Sequence, residues 1–202
     1  AESPLDENIL YAGTSDGNIW SSTDEGANWN NMSSGLPKRY VTSIYPSYND
    51  TLSAFICVSG FKYNDPYPHV FRTDNAGQSW VDISGDLPQM PINDVLAHPN
   101  NDSIVFVATD GGIYGSINAG ENWHRVGTNM PIYTVFDIEW HPDFNQLIAG
   151  THARSMHIYD LNEIGLPDAS LIKEHDLKTI KVFPTISSDL LNIILPFSEL
   201  QL

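Results

Sequence analysis

Three stretches decide the fold: Ser22-Thr23-Asp24-Glu25-Gly26-Ala27-Asn28-Trp29, Thr73-Asp74-Asn75-Ala76-Gly77-Gln78-Ser79-Trp80 and Ser116-Ile117-Asn118-Ala119-Gly120-Glu121-Asn122-Trp123. They align without gaps. Each places a hydroxyl seven residues before a tryptophan, Asp or Asn five before it and Gly three before it. Successive tryptophans lie 51 and 43 residues apart, the length of a four-stranded propeller blade of about 40 to 50 residues.

The likeness continues outside these turns. A Leu-Pro or Met-Pro step follows each one (Leu36-Pro37, Leu87-Pro88, Met130-Pro131), and then a strand-like run that ends in proline at Pro46, Pro99 and Pro142. Proline cannot continue a ladder, so it closes the strand. Second apolar runs follow, as in Ile104-Val105-Phe106-Val107-Ala108-Thr109 and Leu147-Ile148-Ala149-Gly150-Thr151. Each unit reads strand, turn, strand, loop, strand, Trp-terminated turn, strand. The fold class is therefore all-β, with about four propeller blades over residues 1–161. Ala1-Glu2-Ser3-Pro4 matches the end of a first strand, and that mid-blade start favours an excerpt of a larger ring over a closed ring of four.

The turn residues have mechanical roles. A tight turn leaves backbone N–H groups unpaired, and a short Asp or Asn side chain accepts from them. Gly permits φ > 0 and Trp buries a large ring beneath the turn. Asn75 and Asn118 stand where Asp24 does, keeping the acceptor and dropping the charge. The set Ser22, Asp24, Gly26, Trp29, Thr73, Asn75, Gly77, Trp80, Ser116, Asn118, Gly120 and Trp123 is accordingly structural rather than catalytic.

The totals exclude several classes. Lys and Arg number 9 against 25 Asp and Glu, a formal charge of −16, which disfavours nucleic acid because phosphate binding needs a basic footprint. Cys57 is the one cysteine, so no internal disulfide forms, and its apolar run predicts a buried strand position. No segment approaches the roughly 20 apolar residues of a membrane helix. The seven histidines show no metal-ligand spacing, and no metal or cofactor is expected, although acidic turns such as those at Asp50 and Asp143 leave weak Ca²⁺ binding open.

With these residues the chain resembles the Asp-box, or BNR, repeat family, whose members include sialidases, xyloglucanase-type glycoside hydrolases, sortilin ectodomains and a photosystem assembly factor. The resemblance implies that the boxes lie on blade turns away from the substrate face. Sialidase chemistry uses three arginines on a carboxylate and a Tyr/Glu pair. Here there are only Arg39, Arg72, Arg125 and Arg154, without an Arg-Ile-Pro motif. The run Gly150-Thr151-His152-Ala153-Arg154-Ser155 is similar to the Gly-Thr-His-Gly-Arg-Gly segment of sortilin-like and xyloglucanase-like bacterial proteins, departing from it at Ala153. Residues 162–178 read as a linker. Ile180 to Ile193 resembles the opening of a type IX secretion sorting domain, so 179–202 reads as its start, or else as a plain β-hairpin ending the fold. The sorting resemblance implies a protein that is secreted or held at the outer-membrane surface.

Function should lie opposite the boxes, where the loops after each second strand and between blades gather. That face collects Asp16, Lys38, Arg39, Tyr40, Asp110, Met130, Tyr133, His152, Arg154 and the insertion Phe61-Lys62-Tyr63-Asn64-Asp65-Pro66-Tyr67-Pro68. The expected binding residues are Lys38, Arg39, Tyr40, Tyr63, Tyr67, His152 and Arg154, and the preferred function is a non-catalytic scaffold for a glycan or an extracellular protein, with the remaining blades of the parent chain as its structural partners. The alternative is a glycoside hydrolase of xyloglucanase type, whose paired carboxylates would come from Asp16, Asp65 and Asp110. A plainer account of the insertion is that Pro and Asn shape a longer turn.

Overall fold

The computed structural model describes residues 1–127, 131–141 and 145–161, and residues 181–183 as backbone. Four antiparallel sheets follow one another along the chain. The first holds β1 (Leu10–Gly13), β2 (Ile19–Ser22) and β3 (Asn30–Asn31), with Glu2 bridged to Leu10 where an inner strand would stand. The second holds β4 (Tyr40–Pro46), β5 (Ala54–Ser59), β6 (Val70–Thr73) and β7 (Val81–Asp82). The third holds β8 (Ile92–His98), β9 (Asn101–Thr109), β10 (Gly112–Ser116) and β11 (His124–Val126). The fourth holds β12 (Val135–His141), β13 (Gln146–Thr151) and β14 (Met156–Asp160). Its outer strand is β15 (Lys181–Phe183), paired so that Phe183 lies opposite Met156. At those three residues the tail pairs with the fourth sheet. The rest of the expected linker and sorting segment lies outside the described residues.

The core sits between sheets. Strand β8 packs against β4 and β5, and β12 against β8 and β9. Phe55, Cys57, Val70, Val95, Val107 and Trp123 are buried between the second and third blades, and Leu96, Phe106, Ile138, Leu147 and Tyr159 between the third and fourth. Each such aliphatic side chain taken fully from water contributes about 1.5–3 kcal/mol, which is what holds neighbouring blades face to face. Cys57 is fully buried, as its run predicts, and burial pushes its thiol far above the ordinary range. Among the described residues no helix is long and apolar enough to cross a membrane.

The three Trp-terminated turns each join the last two strands of their sheets and share one hydrogen-bond pattern. The Ser22, Thr73 and Ser116 hydroxyls each accept the N–H of the glycine four residues on, at 2.9 Å. Asp24, Asn75 and Asn118 accept the N–H of Asn28, Ser79 and Asn122 at 2.8, 2.9 and 3.0 Å. The residue before each glycine is also left-handed, with φ of 55° at Glu25, 53° at Ala76 and 58° at Ala119.

The tryptophans do more than brace their own turns. Trp80 Nε1 donates to the Met32 carbonyl of the first blade (2.8 Å), and Trp123 Nε1 to the Ile83 carbonyl of the second (3.1 Å). Each ring therefore fastens its blade to the preceding one. Trp29 departs from the expected burial: it is 41% exposed against 5% for Trp123, because among the described residues no blade precedes the first to receive it.

Candidate functional site

At the end away from the Trp-terminated turns, each inner strand carries a β-bulge: between Val41 and Ser43, between Ile92 and Asp94, and between Val135 and Asp137. A bulge re-aims the extra residue, here Thr42, Asn93 and Phe136. Thr42 Oγ1 donates to the Ile92 carbonyl (3.1 Å), and Asn93 Nδ2 to the Val135 carbonyl (2.9 Å), so the bulged side chains tie each blade to the next. All three also line an open cavity of about 490 Å³, together with Tyr40, Ser59, Phe61, Lys62, Pro91, Asp110 and Thr134.

The aromatic part of the cavity lining is exposed: Phe61 is 73% exposed and Phe136 53%, with Tyr40 also exposed. Ile132, Tyr63 and Tyr67, outside the lining, are exposed as well. Contiguous exposed aromatics around a few polar groups mark an interaction surface. Three cations lie over tyrosine rings at this end: Arg39 over Tyr63 at 4.9 Å, Lys62 over Tyr40 at 5.1 Å and Arg154 over Tyr133 at 5.2 Å. Such stacking fixes a long side chain at the cost of little desolvation. Met130 lies outside the described residues.

The insertion is built, not merely long. A 3₁₀ turn at Phe61–Tyr63 ends in left-handed Asn64 (φ 54°), and Asp65 then turns inward. Its Oδ2 takes Arg39 Nε at 3.0 Å and His69 Nε2 at 3.1 Å, and its Oδ1 takes the Tyr67 N–H at 3.2 Å. Burial alone would raise this carboxyl, but the bonds from His69, Tyr67 and Arg39 outweigh it and hold Asp65 below the usual carboxylate range. Asp16 is held low as well, first by the Thr14 hydroxyl and also by Asn18 (2.8 Å) within its hairpin. Of the three candidate acids only Asp110 lines the cavity, where Asn93 Nδ2 donates to it at 3.1 Å. Among the described residues no group of three His, Cys, Asp or Glu side chains is placed to hold a metal ion; Asp143 lies outside them, and Asp50 caps the Leu52 N–H.

His152 and Arg154 come from the loop between β13 and β14. Its non-glycine residues Ala153 and Ser155 have φ of 62° and 68°, a conformation that costs an L-residue about 1–2 kcal/mol. The loop is pinned nonetheless: Thr151 Oγ1 donates to the Ser155 carbonyl (2.7 Å), the His152 N–H to the Thr134 carbonyl (2.9 Å), and the His152 ring meets Phe136 edge-on at 5.6 Å. Ala153→Gly and Ser155→Gly are each expected to raise unfolding stability by about 1 kcal/mol in urea titrations. Lower stability in both would mean that the side chains hold contacts worth more than the strain.

Cavity residues Phe61, Lys62, Asn93, Thr134 and Phe136 were not among the residues singled out for binding from the sequence. Of the expected binding residues Tyr40 alone lines the cavity, and the His152 ring meets the lining residue Phe136; Lys38, Arg39, Tyr63, Tyr67 and Arg154 are not among its lining residues.

No protein-family model matches the chain, and no curated relative does. Solved structures do. An ancestral GH74 enzyme aligns with a TM-score of 0.60 and 19% identity over 79% of this chain and 23% of its own. YCF48 bound to a D1 peptide aligns with 0.58 and 18% over 78% and 48%. The GH74 xyloglucanase from Xanthomonas campestris aligns with 0.59 and 14% over 78% and 28%. The chain has a β-propeller fold. At these identities the likeness is one of fold alone, and the chain spans less than half the length of each of these structures.

Proposed function

We propose that the chain is part of a secreted or cell-surface Asp-box propeller whose open face binds a glycan without catalysis by these residues. The observation that carries this is the cavity at the bulged ends of β4, β8 and β12, where exposed Tyr40, Phe61 and Phe136 rim a floor of Thr42, Ser59, Asn93 and Thr134. Aromatic faces cover the apolar side of a sugar ring, while hydroxyl and amide groups exchange hydrogen bonds with its hydroxyls. Export draws on the likeness of residues 180–193 to a sorting segment, and the repeat pattern of the three turns supplies the Asp-box assignment.

The hydrolase alternative has less behind it. A general acid needs a pKa raised toward neutrality, whereas Asp16 and Asp65 are both held low by donors that fill their lone pairs. The test is a panel of neutral and acidic polysaccharides assayed for binding and for reducing-end release. Binding without turnover is expected, with Tyr40→Ala and Phe61→Ala each weakening it roughly two- to tenfold, the 0.5–1.5 kcal/mol of an aromatic contact, at unchanged melting temperature. Turnover lost in Asp110→Asn would replace the scaffold with an enzyme. Capture of a peptide in place of any glycan would replace the ligand.

A further inference from the structure

We propose that the cavity face selects a carboxylate-bearing glycan, a uronate chain, over a neutral one; this rests on the glycan reading of the face. Six Lys or Arg side chains lie within the described residues: Lys38, Arg39, Lys62, Arg72, Arg125 and Arg154. Arg39 is taken by Asp65 and Arg72 by Asp74, and Lys38 stands near enough to Asp16 to lower it. Lys62 and Arg154 form no ion pair among the described residues. Both are exposed and held over tyrosine faces: Lys62 over Tyr40 in the cavity lining, and Arg154 over Tyr133, the neighbour in sequence of the lining residue Thr134. Lys62 lines the second-blade wall. Arg154 stands on the fourth-blade side, over Tyr133, in the loop whose two left-handed non-glycine residues place it there. A guanidinium fork matches a carboxylate bidentately, and an ammonium adds a point charge.

Part of the net charge of −16 lies far from the cavity. Asp24, Asp50, Asp74, Asp102 and Glu121 lie at the other end of the blades, on the Trp-terminated turns and the loops from first to second strand. Strand β4 has seven residues, which at about 3.3 Å each span roughly 23 Å. That is more than twice the screening length of about 8 Å at physiological salt. Asp110, the carboxylate in the cavity lining, accepts from Asn93 but keeps its charge, so Lys62 and Arg154 must outweigh it.

The test compares polygalacturonate, its highly methyl-esterified form and poly-glutamate as probes on the wild-type chain, Lys62→Met and Arg154→Met, with melting temperature as the fold control. Expected are preference for polygalacturonate over the ester, loss of affinity for it between 50 and 500 mM salt, and in each variant a loss of polygalacturonate affinity three- to tenfold greater than any loss of ester affinity. Equal or tighter binding of the ester, indifferent to both variants, overturns the charge inference while the glycan reading stands. Binding of poly-glutamate alone overturns both. If none of the three binds, the charge inference fails, and the neutral polysaccharides of the panel above decide whether the glycan reading fails with it.

Discussion

Gly120→Ala is expected to cost about 4 kcal/mol of unfolding stability, against about 1 kcal/mol for the same change at Gly26 or Gly35. All three glycines have φ between 82° and 90°, so the left-handed penalty of about 1–2 kcal/mol is shared. What differs is the neighbour. A Cβ on Gly35 would meet nothing within 4 Å, and one on Gly26 would meet Leu10 Cδ1 at 3.3 Å, the end of a side chain that can give. A Cβ on Gly120 would press on the Ile83 carbonyl and stand 2.7 Å from Ile83 Cβ. Ile83 is the residue whose carbonyl receives Trp123 Nε1, and it is buried in the cluster between the second and third blades. Backbone cannot retreat cheaply, so the blades must part or Trp123 must lose its bond and packing, a loss in the upper range for single substitutions. Urea midpoints for the three variants measure this. Equal losses at all three would show that the second blade yields to the added methyl.

The same turns explain why so much was legible in the sequence. A hydroxyl, an Asp or Asn and a glycine recur because each satisfies one fixed hydrogen bond or dihedral: Ser116 the Gly120 N–H, Asn118 the Asn122 N–H, Gly120 a φ of 90°. A local geometry writes its demands into adjacent residues, so spacing suffices to read it. Contacts between blades write no such local mark. That Trp80 reaches Met32 and Trp123 reaches Ile83, across 48 and 40 residues, follows only from how the sheets stack. The cavity was partly hidden for a related reason. Strict alternation along Ile92-Asn93-Asp94-Val95 would send Asn93 and Asp94 to opposite faces, whereas the bulge puts Asn93 on the cavity and Asp94 between blades. Two polar residues breaking an apolar run were the available signal. The setting of Asp65 was hidden for a third reason: an acid in an exposed-looking loop gives no hint that Arg39 and His69 will draw it inward.

Asp94 gives the chain a pH dependence of stability opposite to that of its other hydrogen-bonded aspartates. Its carboxylate accepts the Val95 N–H (2.8 Å), the Ile138 N–H of the fourth blade (2.9 Å) and the Ser43 hydroxyl of the second. Even so, burial dominates, with Asp137 adding to it, and pushes its pKa up from 3.8 to about 6. A carboxyl raised on folding binds its proton more readily in the native state, so its contribution to stability grows as pH falls from about 6 toward 4 and is absent at neutral pH. Two pKa units correspond to nearly 3 kcal/mol, of which somewhat less than half, on the order of 1 kcal/mol, accrues between pH 7 and pH 5. Asp24, Asp65 and Asp74, all held low, act the other way: what they contribute is present above pH 4 and lost below it. His98 and His157, kept neutral by burial, also oppose Asp94, since they favour unfolding as pH drops through 6.5. The quantity to read is therefore a difference. Asp94→Ser, which copies Ser43 at the matching place in β4, should lack the gain on the order of 1 kcal/mol between pH 7 and pH 5 that the parent carries on top of the shared histidine and aspartate effects. Urea titrations of both proteins at pH 7, 6 and 5 decide it. Parallel pH profiles would mean that the three donors around Asp94 keep it ionised, and that the lock between the blades is held by a charge throughout.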